Sequence, residues 1–191
     1  MKKIGLLVII LIVIFSIFSG CIETNNNNSN NNSQNADAED FSFTSINGNK
    51  ISLSDYRGKI VILDMWATWC GPCQIFMLEL KKIYDYYSRD VLEIFSVDID
   101  PTESAQLIQS FIDWFGQPDT YNIELNWIFG RDDGIISEKY LKGGGIPTVV
   151  IFDQMGRLHY TEAGVHGFTE IPYGLSADTP LLYPILEKLI E

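Results

Sequence analysis

The sequence contains two cysteines separated by two residues, Cys70 and Cys73, in the stretch WATWCGPCQIF (66–76). A pair at this spacing can form a redox-active disulfide, supply half of a metal site or make a small structural crosslink. Outside the pair the chain has Cys21 and two histidines, seven residues apart, so a four-ligand zinc site is not expected. A structural crosslink is disfavoured because so small a loop removes little chain entropy. The pair therefore predicts redox chemistry.

The segments around the pair predict a separate role for each cysteine. IVILDMWA (60–67) is an apolar run typical of a strand buried on both faces, and the residues that follow Cys70 have apolar side chains at helical spacing. Cys70 is expected where the strand gives way to the helix, so the free amides and macrodipole of the helix stabilise its thiolate and lower its pKa. We predict that Cys70 is the nucleophile and that Cys73, more buried in the first turn, resolves the mixed disulfide. Pro72 occupies a first-turn position where it loses no needed hydrogen bond.

The rest of the chain predicts the elements that hold this site. From Phe41 onward we expect a single α/β unit without internal repeats. Its expected elements are a hairpin around Asn47–Gly48, strands in 60–67 and 91–100, a helix after Cys70, a helix in 102–116 capped by Thr102 or Ser104, a short helix in 134–142, hairpin strands in 147–153 and 157–163, and a closing helix that starts at Thr179 and Pro180. This order combines a parallel crossover with a terminal antiparallel hairpin.

The amino-terminal segment predicts export. Residues 1–20 join a short basic start to an apolar run, which is typical of a secretory signal or a membrane anchor. Cys21 follows Ser19 and Gly20, as in the lipobox of prokaryotic lipoproteins, and is predicted to carry lipid, although Phe18 replaces the usual aliphatic residue. The alternative is an incidental cysteine at the end of an uncleaved anchor. Residues 21–39 are rich in asparagine and predict a flexible tether to a domain at 40–191. We expect this domain at the outer face of the cytoplasmic membrane.

Composition limits the partners of the chain. The net charge of −12 comes from 25 acidic and 13 basic residues, and the basic residues form no run. Nucleic acid is therefore not an expected partner, and most of the acidity is assigned to a solvated surface. We expect a monomer without a metal or cofactor.

Three separated segments resemble one known family. WATWCGPC resembles the active site of the thioredoxin superfamily, and its context resembles the membrane-tethered TlpA/ResA-like thiol-disulfide oxidoreductases. Residues 48–73 are similar to the first hairpin and first core strand of that group, and GGGIPTVVIFDQMGRLHY (143–160) is similar to its cis-proline segment and final hairpin. The resemblance implies an α/β thioredoxin fold: a central mixed β-sheet flanked by helices, with an N-terminal β-hairpin and an insertion before the cis-proline.

The resemblance also implies roles near the cysteines. Pro147 matches the cis-proline, which would present the Ile146 backbone to an extended substrate; without the cysteine motif, an ordinary trans proline would be expected. Asp64 matches the buried acid that moves protons to and from Cys73, and its place in an apolar run supports a raised pKa. The alternative for Asp64 is a side chain that escapes to a sheet edge.

Trp69 matches the indole beside the nucleophile. With Gly71 and Pro72, it is expected to contact the substrate.

The chain departs from the family at two positions that bear on chemistry. Phe76 stands where many members have a glutamate, and Leu78 replaces a frequent proline. Glu79, one turn on, is expected to be solvated. Trp114 and Trp127 are expected to pack rather than to bind substrate.

The resemblance implies a reductase of protein disulfides, with apocytochrome c as one possible substrate and a membrane electron donor. The alternative is a thioredoxin-fold copper chaperone that holds the metal with Cys70, Cys73 and His166. That group has three residues between its cysteines, whereas this chain has two. We therefore expect His166 to be an exposed loop residue.

Overall fold

The computed structural model describes residues 38–141 and 143–190. The predicted signal, Cys21 and nearly all of the predicted tether lie outside these residues. Among the residues described, no helix is both long and apolar enough to span a membrane.

The described residues form one seven-stranded mixed sheet with helices on both faces. The strands are β1 (Ser42–Ser45), β2 (Lys50–Ser52), β3 (Ile60–Trp66), β4 (Leu92–Asp98), β5 (Ile128–Arg131), β6 (Thr148–Phe152) and β7 (Leu158–Ala163). The helices are α1 (Gly71–Tyr86), α2 (Ala105–Phe115), α3 (Ile135–Tyr140) and α4 (Tyr183–Ile190), with a 3-10 turn at Leu53–Tyr56. The expected α/β architecture, with its N-terminal hairpin, is confirmed.

The sheet order is β2-β1-β5-β4-β3-β6-β7. β3, β4 and β5 are parallel, and β1 and β6 flank them in the antiparallel direction. β7 pairs antiparallel with β6 and completes the predicted terminal hairpin. The carboxyl ends of β3 and β4 therefore meet at one edge of the sheet, and α1 begins beyond that edge.

The core has two layers, divided by the alternation of side chains along β3. Ile60, Ile62 and Trp66 face one cluster, which also contains Cys70 and Cys73 and is covered by α1, α2 and α4. The intervening residues of β3 face the second cluster, under α3 and the first hairpin. Asp64 has the same parity as Ile62 and Trp66, so its side chain is on the face of the cysteines.

The structure corrects the sequence-based elements at two places. β5 was not predicted, because only four residues pair and Gly130 interrupts the apolar pattern. A Cβ at Gly130 would lie 2.3 Å from the Phe43 ring, so the strand exists through its close packing against β1 and β4.

The prediction that the closing helix starts at Thr179 and Pro180 was wrong. α4 begins at Tyr183, which places Pro184 in the first turn, where its missing N–H is not needed. The preceding residues pair with Gly167 instead: Gly167 N–H donates to Pro180 O, and Leu182 N–H donates to Gly167 O.

Candidate active site

Cys70 is the residue that caps the amino terminus of α1. β3 ends at Trp66, a turn follows, and the Cys70 Sγ accepts a hydrogen bond from the Cys73 N–H at 3.2 Å. The two sulfurs form a disulfide with an S–S distance of 2.06 Å. Both cysteines are buried, while Gly71 and Pro72 between them are exposed. The predicted position at a strand-to-helix junction is thus observed, and the exposed Gly-Pro segment separates the disulfide from solvent on one side.

The Ile146–Pro147 peptide bond is cis, as the resemblance implied, so the trans alternative is wrong. Ile146 O lies 3.7 Å from Cys70 Sγ, which brings this segment beside the disulfide. Hydrogen bonds hold the segment on both sides: Gly164 N–H donates to Pro147 O at 2.7 Å, and Thr148 Oγ1 donates to Gly145 O at 2.6 Å.

Trp69 directly precedes Cys70 and is 66% exposed. Its indole N–H donates to Asp100 Oδ2 at 2.8 Å, just beyond the end of β4. Hydrogen bonds from the Thr102 side chain, from Trp69 and from the Thr102 backbone hold the pKa of Asp100 below its ordinary value. The indole is therefore fixed in place yet open to solvent beside Cys70.

Two buried acids that the sequence analysis missed lie near the turn before Cys70, and one of them, Glu103, holds that turn. Glu103 accepts hydrogen bonds from the Thr68 N–H at 3.1 Å and the Thr68 hydroxyl at 2.6 Å. Asp98, also buried, accepts from the Asp100 N–H. Burial, reinforced by Glu103, raises the pKa of Asp98 to about 8. The acid-rich DIDPTE stretch after β4 was the signal in the sequence.

Asp64 is 1% exposed, at the centre of β3. The Ser96 hydroxyl donates to its Oδ2 at 2.8 Å, and its Oδ1 has no hydrogen-bond partner among the described residues. Burial raises the pKa of Asp64 to about 7, against the lowering effect of the Ser96 hydrogen bond. The alternative of a side chain at a sheet edge is therefore wrong.

Ser96 and Trp127 form a polar connection behind Asp64. The Trp127 indole N–H donates to Ser96 Oγ at 2.9 Å. Trp127 is buried and stacks on Phe129, as expected of a packing residue, but it also makes this hydrogen bond. No sequence pattern pointed to the connection, because its members lie 31 residues or more apart.

Two expectations for polar residues near α1 were wrong. Glu79 is buried rather than solvated: its Oε2 accepts from the Phe168 N–H at 3.0 Å and its Oε1 from Lys82 at 2.7 Å. His166 is fully buried, and its ring packs 5.8 Å from the Phe76 ring. Phe76, which stands where many members of the resembled group have a glutamate, is buried in the core.

Both ring nitrogens of His166 are occupied. Nδ1 donates to Gly164 O at 2.9 Å, and Nε2 lies 3.0 Å from the Tyr160 hydroxyl oxygen, whose own proton is donated to Glu162 Oε2. Burial lowers the pKa of His166. No group of three His, Cys, Asp or Glu side chains in the described ranges is arranged to hold a metal ion. This arrangement gives the copper-chaperone alternative no support.

Comparison with known proteins agrees with the geometry of the site. Residues 35–161 match the AhpC/TSA family. The chain is 30% identical over 143 residues to thiol-disulfide oxidoreductase ResA of Geobacillus kaustophilus, which covers 75% of this chain and 76% of ResA. It is also 30% identical over 142 residues to thioredoxin-like protein YneN of Bacillus subtilis, covering 74% and 78%. The crystal structure of StoA from Bacillus subtilis matches with a TM-score of 0.54 at 24% identity, over 70% of this chain and 93% of that one, and shows the likeness of fold.

The chain therefore belongs to the AhpC/TSA family and is a thiol-disulfide oxidoreductase of the thioredoxin fold. The fold and the enzyme class implied by the resemblance are confirmed.

Proposed function

We propose that the chain is an extracytoplasmic reductase of protein disulfides that works through Cys70 and Cys73. The observation that supports this most directly is the Cys70–Cys73 disulfide at the start of α1, with exposed Gly71 and Pro72 on one side and Ile146 O on the other. A polypeptide that lies across Gly71 and Pro72 can bring its own disulfide to Cys70, while its backbone pairs with the Ile146–Pro147 segment. Trp69 borders the same place and can cover the reacting sulfurs.

The reduced enzyme acts in two exchange steps. First, the Cys70 thiolate attacks one sulfur of the substrate disulfide, and the other substrate sulfur leaves as a thiolate and takes up a proton. Then the Cys73 thiol gives its proton to Asp64 and attacks Cys70 Sγ, which releases the second substrate thiolate. Asp64 then releases the Cys73 proton, and this proton together with one from solvent neutralises the two substrate thiolates, so the substrate gains two electrons and two protons.

The enzyme ends this cycle with the Cys70–Cys73 disulfide. A dithiol donor, which we place at the membrane, returns two electrons; one of its two protons stays on Cys73 and the other goes to solvent, which restores the Cys70 thiolate and the Cys73 thiol. The Cys73 N–H, which points at Cys70 Sγ, stabilises negative charge on that sulfur in the reduced state. This hydrogen bond favours Cys70 over Cys73 as the attacking group.

The division of labour between the cysteines is tested by trapping. We expect the reduced full-length Cys73→Ser variant to accumulate a mixed disulfide with disulfide-bonded insulin. Cys70→Ser should form none. Neither variant should reduce insulin catalytically with dithiothreitol as donor, whereas the unaltered chain should. Catalysis by Cys70→Ser at the unaltered rate would sink the proposal.

The direction of the reaction is tested in cells. Alkylation of free thiols at harvest shows the redox state of the Cys70–Cys73 pair. A pair held mostly reduced supports a reductase, and exported proteins with neighbouring cysteines, apocytochrome c among them, are the substrates we propose for it. A pair held fully oxidised would contradict this direction.

We further propose that the chain is exported and held at the outer face of the cytoplasmic membrane through Cys21. The support is the sequence of residues 1–21, a basic start and an apolar run followed by Ser19, Gly20 and Cys21. Labelling of cells with radioactive palmitate should mark the unaltered chain and leave Cys21→Ala unmarked. Equal labelling of the two would exclude lipidation at Cys21 and favour a retained amino-terminal anchor.

A further inference from the structure

Three buried polar side chains form a continuous line through the face of the sheet that carries the cysteines. Asp64 of β3 and Ser96 of β4 are directly opposed in the parallel register, and Trp127 lies immediately before β5. Asp64 and Ser96 are essentially inaccessible to solvent, and Trp127 is nearly so. The line therefore crosses three neighbouring elements without contact with bulk water.

The chemistry of the groups fixes the direction of the hydrogen bonds. An indole N–H can only donate, so Ser96 Oγ is the acceptor from Trp127 at 2.9 Å. The single proton of the Ser96 hydroxyl is then free for Asp64 Oδ2, 2.8 Å away. The Trp127 ring is itself held between Tyr84 at 5.6 Å and Phe129 at 5.4 Å, so its N–H keeps one orientation.

These hydrogen bonds leave the two carboxylate oxygens of Asp64 in different environments. Oδ2 accepts from Ser96, whereas Oδ1 is buried without a partner among the described residues. An unpartnered carboxylate oxygen in an apolar environment is the favoured place for an added proton, because protonation removes the buried charge.

We propose that Ser96 and Trp127 are positioning residues for the oxidoreductase reaction: they hold Asp64 Oδ2, so that Oδ1 receives the proton of Cys73. The proposal deepens the mechanism above and rests on it. Ser96 also opposes the effect of burial on the pKa of Asp64, which keeps the acid within range of neutral pH. A base with a pKa near the working pH accepts and returns a proton with the least loss.

Other titratable groups face this site from the elements packed on it. α1 contributes Cys70 and Cys73, and β4 contributes Asp98, two residues beyond Ser96. β6 presents Val149 and Ile151, which are apolar. His166 lies behind Phe76. The test below must therefore separate the titration of Asp64 from that of Asp98 and of the thiols.

Stopped-flow reaction of the reduced full-length chain, with Cys21→Ala in every variant to remove the third thiol, with 5,5′-dithiobis(2-nitrobenzoate) isolates the step. Attack by Cys70 releases one thionitrobenzoate and leaves another attached to it. Attack by Cys73 on the mixed disulfide then releases the second, so the second phase reports the proton transfer and the first phase is an internal control.

The rate of the second phase should fall at low pH, where Asp64 is already protonated; we call this fall the acid limb. In Ser96→Ala we expect the midpoint of the acid limb to move to higher pH by about one unit, because a hydrogen bond to the ionised Asp64 carboxylate is lost. Ser96→Thr keeps the hydroxyl and should restore the limb. Trp127→Phe should shift it in the same direction by less, because the hydroxyl then loses the donor that orients it. The first phase should keep its profile in all three.

Trp66→Phe is the matched control. Trp66 is buried on the same strand as Asp64, yet its indole nitrogen has no hydrogen-bond partner in the described part of the chain. Removal of this N–H should leave the second-phase limb in place. A shift as large in Trp66→Phe as in Trp127→Phe, or an unmoved limb in Ser96→Ala, would overturn the proposal.

A direct titration covers the case in which a variant reacts slowly for structural reasons. The carboxyl carbon of Asp64, followed by 13C NMR in the oxidised chain, should titrate at higher pH in Ser96→Ala, and an unchanged titration would again overturn the proposal. Failure of the proposed function is distinguishable, because release of fewer than two thionitrobenzoate equivalents by the chain that carries Cys21→Ala alone would sink the exchange mechanism itself.

Discussion

Cys70 serves two purposes through one atom. Its Sγ accepts the Cys73 N–H as the cap of α1, and the same sulfur forms the disulfide. A serine at this place would keep the capping bond but could not react, which makes Cys70→Ser a conservative structural change. At the residue scale, capping and the disulfide therefore coincide at Cys70, while the proposed proton acceptor is a different residue, Asp64.

Asp64→Asn should slow the resolving step and leave the attacking step unchanged. The amide cannot take the Cys73 proton, and loss of a positioned base costs on the order of 100-fold in rate. The two-phase thionitrobenzoate release measures both steps in one experiment. Glu79→Gln, which alters another buried acid of the α1 face, is the control and should change neither phase. A second phase that stays fast in Asp64→Asn would show that Cys73 loses its proton elsewhere.

Glu103 and Thr68 should be energetically coupled. The Thr68 hydroxyl donates to Glu103 Oε1 at 2.6 Å in the turn that leads to Cys70, and Glu103 is buried. A double-mutant cycle of Glu103→Ala and Thr68→Val, measured by urea unfolding, should give a coupling free energy of about 1 kcal/mol or more. Strict additivity of the two changes would mean that the hydrogen bond does not hold the turn.

At the scale of elements, α1 is held at its amino terminus and at its middle. Its amino terminus is held by the disulfide, and Glu79, two turns on, binds the backbone of Phe168 in the segment before α4. That segment also carries His166, which packs on Phe76. The placement of the cysteines thus depends on a carboxyl-to-backbone contact between residues 89 positions apart.

Glu79→Ala should destabilise the protein by about 2 kcal/mol, because the buried Phe168 N–H is left without an acceptor. Glu79→Gln retains an amide oxygen for that N–H and should lose less than half as much. Lys82→Ala removes the half-exposed partner of the buried Glu79 but leaves the Phe168 N–H its acceptor, so it is expected to cost less than Glu79→Ala, about 1 kcal/mol. Urea unfolding midpoints measure all three, and an equal loss in Glu79→Ala and Lys82→Ala would contradict this account.

Elements with a strong local pattern could be predicted from the sequence. β3, with seven buried residues, and α1, with its periodic apolar face, were both expected, and Ser104 caps α2 as proposed. β5 and the start of α4 could not be predicted, because each depends on distant partners. β5 is made by pairing with β1 and β4, and residues 180–182 pair with Gly167 instead of entering the helix.

The features of the candidate site also divide into those that the sequence could predict and those that depend on distant contacts. The cysteine pair, the cis bond at Pro147 and the burial of Asp64 followed from short motifs and a resemblance. The burial of Glu79 and His166 and the bond from Ser96 to Asp64 did not, since tertiary contacts alone decide whether a polar residue in an amphipathic segment is solvated.

At the scale of the whole molecule, several titratable groups are buried on one side of the sheet. Burial raises the pKa of Asp64 to about 7 and that of Asp98 to about 8, and it lowers the pKa of His166. The folded protein therefore keeps both acids protonated at pH values where the unfolded chain has lost those protons. His166 acts in the opposite sense, because the unfolded chain binds its proton below about pH 6.5.

These shifts predict how stability depends on pH. Between about pH 6.5 and 8 the folded state binds more protons than the unfolded state, so the free energy of unfolding should fall as the pH rises, by up to about 1.4 kcal/mol per pH unit for each acid. Below that window His166 opposes the acids, and the dependence should flatten. Urea unfolding across the range measures the slope. In Asp64→Asn combined with Asp98→Asn, the fall should disappear, because neither amide titrates. If the double variant kept the full slope, the protons would belong to other groups, and the raised pKa of Asp64, which lets its ionised form take and hold the Cys73 proton near neutral pH, would lose its support.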